Sequence, residues 1–212
     1  MSRGATPSQT IGPFFHRALL REGWHEVGHE VGHEVGHEVG HEVGNDLAAR
    51  GAAGERVAIE GRVLDGDGAP ITDAMIEVWQ ANAAGRYDHS EDLQEDKPLD
   101  PNFYGFGRVA TGPDGRFRLR TVKPGPVPGS DDAPQAPHIN VSIFARGLLK
   151  RLVTRIYFPG EPLNETDALL SALPVDRRAT LIARAATAGA AERVLHFDIV
   201  LQGDNETVFL DV

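Results

Sequence analysis

The stretch Arg56–Ala81, "RVAIEGRVLDGDGAPITDAMIEVWQA", decides the fold that the sequence predicts. It contains two short runs rich in apolar and β-branched residues, and between them lies "DGDG", a segment typical of a turn. Runs of this length bounded by turn residues favour strands over helices. The stretch therefore predicts a strand, a turn and a second strand.

The same pattern continues along the chain. Residues 108–122, "RVATGPDGRFRLRTV", predict a hairpin in which "GPDG" forms the turn, Phe117 and Leu119 face one way and the arginines face the other. Residues 174–187 are the exception, because they look mildly helical. Further strand candidates are "HINVSIFARG", "RLVTRIYF", "RVLHFDIVLQG" and "TVFLDV". Many short strands with few short helices predict an all-β fold, a single β-sandwich over residues 45–212.

Composition excludes several classes of function. The 212 residues are 41% hydrophobic and 25% charged, which is an ordinary globular balance. A formal charge of -10 argues against nucleic acid or an anionic membrane as a partner. The absence of cysteine excludes disulfides and thiolate metal sites. With no signal-peptide core and no apolar segment of membrane-spanning length, we expect a cytoplasmic protein.

Residues 25–44 repeat the unit "HEVG" five times without variation. Histidines at intervals of four would line one face of a helix and could bind metal ions, as His-rich tracts do. However, every unit contains a glycine, which costs about 1 kcal/mol in a helix interior. We therefore expect a disordered insert within a loop, and whether it is ordered or chelates metal stays open.

Three segments carry more polar and aromatic residues than a scaffold needs: 78–89 ("VWQANAAGRYDH"), 121–128 ("TVKPGPVP") and 136–140 ("APHIN"). Loops and strand ends of this kind converge at one end of a sandwich, where binding sites are found. Within the third segment, His138 and Asn140 would point to the same side of a strand. A second histidine there would complete a pair of metal ligands, whereas an amide is a poor ligand.

These segments, together with "GRVLDGDGAPITDAMIEVWQANAAGRY" and "RIYFPGEP", resemble the intradiol ring-cleaving dioxygenases, and most closely the protocatechuate 3,4-dioxygenase group. The resemblance implies a β-sandwich of the prealbumin-like type that holds a non-haem ferric ion between two tyrosines and two histidines. On that pattern Tyr87 and His138 match two ligands, while Val127 and Asn140 stand where the other two belong. The resemblance thus implies a relic site with no metal and no catalytic residue on this chain.

Members of that group resemble one another in being built from homologous α and β chains, of which only β carries iron. The opening "TPSQTIGPFF" (6–15), with "PHIN" and "FARG", resembles the α chain. This implies that residues 1–24 form an arm lining the partner's cleft, with Thr10, Gly12, Pro13 and Arg146 as substrate-binding residues. Fe(III) and the cleavage of protocatechuate by O2 to 3-carboxy-cis,cis-muconate, a step of aromatic catabolism in the beta-ketoadipate pathway, would belong to the αβ pair, repeated in a larger assembly.

Other interpretations stay open from the residues alone. The chain could be a stand-alone, non-catalytic module that binds an aromatic acid, or an iron enzyme with a substituted ligand set. Tyr87 and His138 could be packed, hydrogen-bonded structural residues. Arg146 could be a solvated charge at a strand end, and whether it contacts substrate or the β chain is open. The number of αβ units and the substrate range are not specified by the sequence.

Overall fold

The computed structural model describes residue 19 and residues 44–48, 51–129, 133–186 and 193–211. The predicted arm (1–24) and the repeat (25–44) lie almost wholly outside these residues. Thr10, Gly12 and Pro13 lie outside them as well. The predictions made for these segments therefore stay predictions.

Short strands dominate the described residues. They are β1 (Arg56–Leu64), β2 (Met75–Trp79), β3 (Phe106–Ala110), β4 (Arg116–Val122), β5 (Val127–Pro128), β6 (Pro134–Gln135), β7 (His138–Phe144), β8 (Leu152–Tyr157), β9 (Arg184–Ala185), β10 (Arg193–His196) and β11 (Ile199–Val200). Besides the single helical residue Leu19, the helical structure among the described residues consists of α1 (Ala168–Ala172), α2 (Val175–Arg178) and the 3-10 turns Pro162–Glu165 and Ala179–Leu181.

The longer strands form two sheets. In one sheet, β1 pairs with antiparallel β4 on one side and with parallel β10 and β11 on the other. Strand β9 pairs with β10 in the antiparallel direction. The second sheet has the order β3-β2-β7-β8 and is antiparallel throughout. Strands β5 and β6 form a separate two-stranded ribbon. This confirms the prediction of an all-β sandwich.

The core consists of alternate side chains from the facing strands of both sheets. Ile59 of β1 and Leu119 of β4 come from one sheet, and Ile76 of β2 and Ile143 of β7 come from the other, each at most 1% exposed. Full burial of such a side chain contributes about 1.5–3 kcal/mol. Because the intervening residues point outward, the longer strands also place polar side chains, such as Glu77 and Arg108, on the outside of the sandwich.

The prediction of a hairpin across residues 108–122 is wrong. The "GPDG" turn exists, since Gly112 donates its N–H to the carbonyl oxygen of Arg116 at 2.8 Å. However, β3 pairs with β2 and β4 pairs with β1, so the turn connects the two sheets. Val109 and Phe117 are both buried in the shared core, and burial of both side chains favours crossing between sheets over local pairing.

The predicted helix over residues 174–187 is too long. Helical structure covers only α2 and the 3-10 turn that follows it. After Leu181 the chain joins the strand structure, because Ile182 bridges to Tyr157 and Ala183 donates its N–H to the carbonyl of Tyr157 at 2.9 Å. Pairing with β8 therefore outweighs helix propensity here.

The outer face of the four-stranded sheet provides the position for a site. In β7, Ile139, Val141 and Ile143 face the core, so His138 and Asn140 face outward.

Within the described residues, no helix is long and apolar enough to cross a membrane.

Candidate functional site

Three neighbouring strands place a row of functional side chains on the outer face of the sheet. Trp79 at the end of β2 lies opposite Asn140 of β7, which in turn lies opposite Arg155 of β8. One pair further along, His138 lies opposite Tyr157. Directly opposed residues on one face have neighbouring side chains, so the sheet register alone assembles this cluster.

The loop that follows Trp79 covers one side of the cluster. Its fold depends on Asn82, whose Oδ1 accepts the N–H groups of Ala84 and Arg86, both at 3.0 Å, and whose Nδ2 donates to the carbonyl of Pro98 at 2.9 Å. Gly85 has φ +82, and a Cβ there would lie 2.1 Å from the carbonyl oxygen of Pro126. Only glycine meets both conditions, so Asn82 and Gly85 fix the position of Tyr87.

The cluster opens into a cavity of about 600 Å³. This volume is within the range of small-molecule sites, about 300–1,000 Å³. Its wall combines aromatic, apolar and polar side chains, which come from all three of the segments that the sequence predicted to converge. The lining residues are Trp79, Tyr87, His89, Glu91, Asp92, Leu93, Gln94, Val127, Pro128, Gln135, His138 and Arg155.

Asn140 bonds to both of its polar neighbours below the cavity. Arg155 donates from Nε to the Oδ1 of Asn140 at 3.0 Å, and the amide donates from Nδ2 to the hydroxyl oxygen of Tyr87 at 3.4 Å. Because a guanidinium only donates, the Asn140 oxygen must face Arg155 and the amide nitrogen must face Tyr87. The second bond is long and weak. The structure thus brings Tyr87, Val127, His138 and Asn140 together, as the resemblance implies.

A second group of hydrogen bonds supports Arg155 from below. Its Nη1 donates to the Oε1 of Gln135 at 2.8 Å and to the hydroxyl oxygen of Tyr157 at 3.3 Å. The Tyr157 hydroxyl donates to the Oδ1 of Asp167 at 3.1 Å. Asp167 is 1% exposed and also accepts the N–H groups of Ala136, Leu169 and Leu170. The network therefore holds Arg155 in place through neutral partners. The carboxylate of Asp167 is linked to Arg155 only indirectly, through the hydroxyl of Tyr157.

Burial keeps His138, Tyr87 and Tyr157 neutral. Desolvation, assisted by the charge of Arg155, lowers the pKa of His138 to about 4. The Nδ1 of His138 lies 2.7 Å from the carbonyl oxygen of Ala136 and must donate to it, so Nε2 is the unprotonated nitrogen. Burial also raises the pKa of Tyr87, and it raises the pKa of Tyr157 to about 12.

The donor set does not fit a ferric ion. Of the four positions that hold the metal in the family pattern, only Tyr87 and His138 offer ligand atoms, whereas Val127 is a hydrocarbon and Asn140 directs an N–H donor at the phenol. The guanidinium of Arg155 lies in the same wall, and a fixed positive charge repels a metal cation. Across the described ranges, no cluster of three or more His, Cys, Asp or Glu side chains could hold a metal.

Arg146 lies at the other end of the four-stranded sheet. Six residues separate it from Asn140, which corresponds to roughly 20 Å of extended chain. Its Nε donates to the carboxylate of Asp73, and its side chain is 63% exposed. The structure therefore does not bring Arg146 to the cavity of its own chain, and its assignment to a partner's cleft stays a prediction.

A second cavity, of about 470 Å³, lies beside β1 and β4. Several charges of its wall are already paired: Arg118 lies 2.8 Å from Glu60, and Asp198 lies 3.3 Å from Arg184, which is outside the wall. Paired charges have no need of a ligand, so this cavity is the weaker candidate.

Sequence reasoning missed Arg155, Gln135 and Asp167. A signal for Arg155 exists in "RLVTRIYF", because a charged residue alternates there with Thr154 and Ile156, which are buried. Conversely, Gln80 of the conspicuous "WQAN" is scaffolding. It is fully buried and bonds through Nε2 to the carbonyl of Val122 at 3.0 Å.

Comparison with known proteins agrees with this geometry. A family model described as Dioxygenase matches residues 36–203. The chain is 40% identical over 210 residues to the protocatechuate 3,4-dioxygenase alpha chain of Burkholderia cepacia, covering 98% of this chain and 97% of the relative. It is 45% identical over 159 residues to the beta chain of the same organism, covering 73% of this chain and 67% of that relative.

A solved structure shares both the fold and part of the sequence. The dioxygenase domain of a dioxygenase–carbohydrate-binding protein fusion from Streptomyces sp. SirexAA-E superposes with a TM-score of 0.59 at 32% identity, covering 76% of this chain and 88% of that one.

Proposed function

The chain belongs to the intradiol ring-cleaving dioxygenases, a family of non-haem iron enzymes, and from this premise we propose that it is the iron-free α chain of a protocatechuate 3,4-dioxygenase. The reaction would be the cleavage of protocatechuate by O2 to 3-carboxy-cis,cis-muconate, carried out by an αβ pair. The observation that carries this proposal is 40% identity to an alpha chain over 98% of the sequence.

The similarity to a beta chain supports a pair of homologous subunits, since one sequence matches both. In such a pair the β chain would hold Fe(III), because Val127, Asn140 and Arg155 make the pocket of this chain unfit for it. The metal would act as a Lewis acid that binds the catechol oxygens. No step of the reaction is assigned to residues of this chain.

The α chain would contribute position and water exclusion to the β chain's cleft. Thr10, Gly12 and Pro13 are proposed to line that cleft, because a turn stiffened by proline closes over a ring with little loss of entropy. Arg146 is proposed to offer positive charge towards the substrate carboxylate or the β chain. Permanent contact of this kind implies an obligate interface and a larger symmetric assembly, which we place in the cytoplasm.

A second candidate function is a stand-alone module that binds an aromatic acid. The intact cavity, with Arg155 in its wall, favours this candidate. The two candidate functions differ in whether they require a partner. Only the α-chain function requires a β chain whose cleft the arm can reach.

Co-expression with an iron-binding β chain tests the proposal. We expect the two chains to co-purify and to consume O2 with protocatechuate, while this chain alone consumes none. Pro13→Ala and Thr10→Val in the pair should raise KM for protocatechuate by about threefold to tenfold, equivalent to about 1 kcal/mol, without changing the iron content. Thr72→Val, at an exposed position of the described sandwich, is the matched control and should leave KM unchanged. Failure of the chains to associate would contradict the proposal.

A further inference from the structure

Arg155 is a half-buried cation without an anion. Its three hydrogen bonds go to Asn140, Gln135 and Tyr157, all neutral acceptors, and they use only Nε and Nη1. Among the described residues, no carboxylate lies within ion-pair distance of it, and its Nη2 donates no hydrogen bond. A guanidinium offers five N–H donors, so both donors of Nη2 stay available to a ligand in the cavity.

Another arginine on the same sheet shows the usual arrangement. Arg108 of β3 also lies on the outer face, with its side chain 22% exposed. Its Nε donates to the Oε1 of Glu77, the residue opposite it on β2, at 2.6 Å. Arg108 is thus neutralised by its cross-strand neighbour, whereas the cross-strand neighbour of Arg155 is the neutral Asn140.

The carboxylates near the cavity have other partners. Asp92 accepts the N–H of Tyr87 at 2.7 Å and that of Gln94 at 3.0 Å. Asp167 is held by backbone N–H groups and the Tyr157 hydroxyl. Glu91 lines the cavity but is exposed. These carboxylates therefore do not form an ion pair with the guanidinium of Arg155.

The rest of the wall suits a flat ring. Trp79 and Tyr87 are stacked with ring centroids 5.7 Å apart and an interplanar angle of 17°. Val127, Pro128 and Leu93 add apolar surface. Aromatic and aliphatic side chains with a few fixed polar groups are typical of sites that bury small aromatic ligands.

We propose that this cavity binds an aromatic monocarboxylate without cleaving it, with Arg155 pairing with the carboxylate and Trp79 and Tyr87 contacting the ring. Because Val127 and Asn140 stand at two of the family's ligand positions and Arg155 has no anionic partner, the cavity suits an anion better than a cation. The Nη2 donors would form charge-assisted hydrogen bonds with the carboxylate, and such bonds are roughly twice as strong as those between neutral groups. His138, whose Nε2 is an acceptor, suits a ligand that also carries a phenolic hydroxyl.

The inference deepens the second candidate function and rests on its premise that the cavity binds an aromatic acid. It is independent of the α-chain function, because it concerns this chain's own pocket and not the β chain's iron site. If the pair cleaved no protocatechuate, the pocket would be unaffected, since the binding test uses the full chain alone.

Isothermal titration of the full chain with 4-hydroxybenzoate provides the test. This probe carries the carboxylate and one hydroxyl but is not a catechol, so ring cleavage cannot interfere. We expect saturable binding at one site per chain. Arg155→Gln should weaken binding by about tenfold to a hundredfold, the value of a charge-assisted pair. Arg108→Gln, the matched change at the neutralised arginine of the same sheet, should leave the affinity unchanged.

A second comparison needs no variant and holds even if Arg155→Gln fails to fold. The neutral isostere 4-hydroxybenzamide should bind wild type about tenfold or more weakly than 4-hydroxybenzoate. Absence of saturable binding, equal affinity for acid and amide, or equal loss in the two arginine variants would each overturn the inference.

Discussion

The two ends of the four-stranded sheet carry similar residues in different electrostatic environments. At one end Arg155 lies beside a cavity among neutral partners. At the other end Arg146 pairs with Asp73 and projects into solvent. Each end also has a glycine with positive φ, Gly85 at +82 and Gly147 at +87. A Cβ at Gly85 would collide with backbone, whereas a Cβ at Gly147 would meet nothing within 4 Å.

The pocket end differs from the other end in having a fixed wall and an unpaired charge. The Asn82 turn, the Gly85 contact and the register of β2, β7 and β8 hold the wall together. Val127 and Asn140 stand at two of the family's ligand positions, and Arg155 adds a positive charge to the wall. Such a pocket is expected to bind an anion and not a metal cation. Four predictions test this difference between the two ends.

The largest effect is expected from Asp167→Ala at the pocket end. The change leaves four donors, three of them backbone N–H groups, without their buried acceptor. We expect the free energy of unfolding to fall by about 3–5 kcal/mol. Asp73→Ala at the opposite end removes a partner of Arg146, whose side chain is 63% exposed. This change should lower the free energy of unfolding by less than about 1 kcal/mol. Urea denaturation of both variants measures the difference, and equal losses would contradict the account.

The next effect is a dependence of stability on pH. The pKa of His138 falls to about 4 in the folded chain, below its usual value of 6.5, so the unfolded state binds a proton more readily. Stability from the neutral imidazole is complete above pH 6.5 and is lost as pH falls towards 4, by roughly 3 kcal/mol.

His138→Gln should flatten this pH dependence, because it removes the group that titrates. His196→Gln, at an exposed position, should not. Denaturation midpoints measured from pH 4 to pH 7 give the slopes. A slope in the His138 variant as steep as in wild type would contradict the assignment.

The two glycines give the third and smaller difference. Gly147→Ala forces only a positive φ on a Cβ-bearing residue, which costs about 1–2 kcal/mol. Gly85→Ala adds a Cβ 2.1 Å from the carbonyl oxygen of Pro126 and should cost about 3 kcal/mol or more. Thermal unfolding of the two variants compares them, and Gly85→Ala should also weaken 4-hydroxybenzoate binding, because Tyr87 is displaced. Equal melting temperatures would mean that the loop does not require its close contact with the segment around Pro126.

The smallest effect is expected at Arg146. Arg146→Gln and its control Arg116→Gln remove side chains that are each 63% exposed and paired with an aspartate. Each should change the free energy of unfolding by less than about 0.5 kcal/mol. In the αβ pair, only Arg146→Gln should raise KM for protocatechuate if it faces the β chain's cleft. A KM equal to that of the control would remove Arg146 from the substrate-binding residues.

Much of the fold could be predicted from alternation. In "VLHFDIVL", Leu195, Phe197, Ile199 and Leu201 alternate with His196 and Asp198, which predicts a half-buried strand. The first three apolar residues are buried, Leu201 is half-buried, and His196 and Asp198 are exposed. Which strands pair could not be predicted, because the "GPDG" turn is compatible with a hairpin and with a crossing between sheets. The choice depends on burial of Val109 and Phe117 in a core that only the complete sandwich creates.

The residues of the candidate site that lie in local sequence motifs could be predicted from the sequence. Tyr87, Val127 and His138 line one cavity, with Asn140 beneath Tyr87. Arg155 was not predictable in that way, since its position depends on pairing between β7 and β8, and its lack of an anion depends on what Asp92 and Asp167 already bind. Such facts belong to tertiary structure.

We propose that this chain has a pocket of the family's kind whose residues do not bind the family's metal. The most direct test of this proposal is the visible absorption of the full chain, purified alone and supplied with ferric iron, beside that of Tyr87→Phe. Ferric phenolate absorbs visible light, whereas iron bound by the histidine-rich repeat would not give this colour. We expect a colourless chain and identical spectra for both proteins, with colour only after the β chain is added. A red-brown chain alone, bleached by Tyr87→Phe, would contradict it.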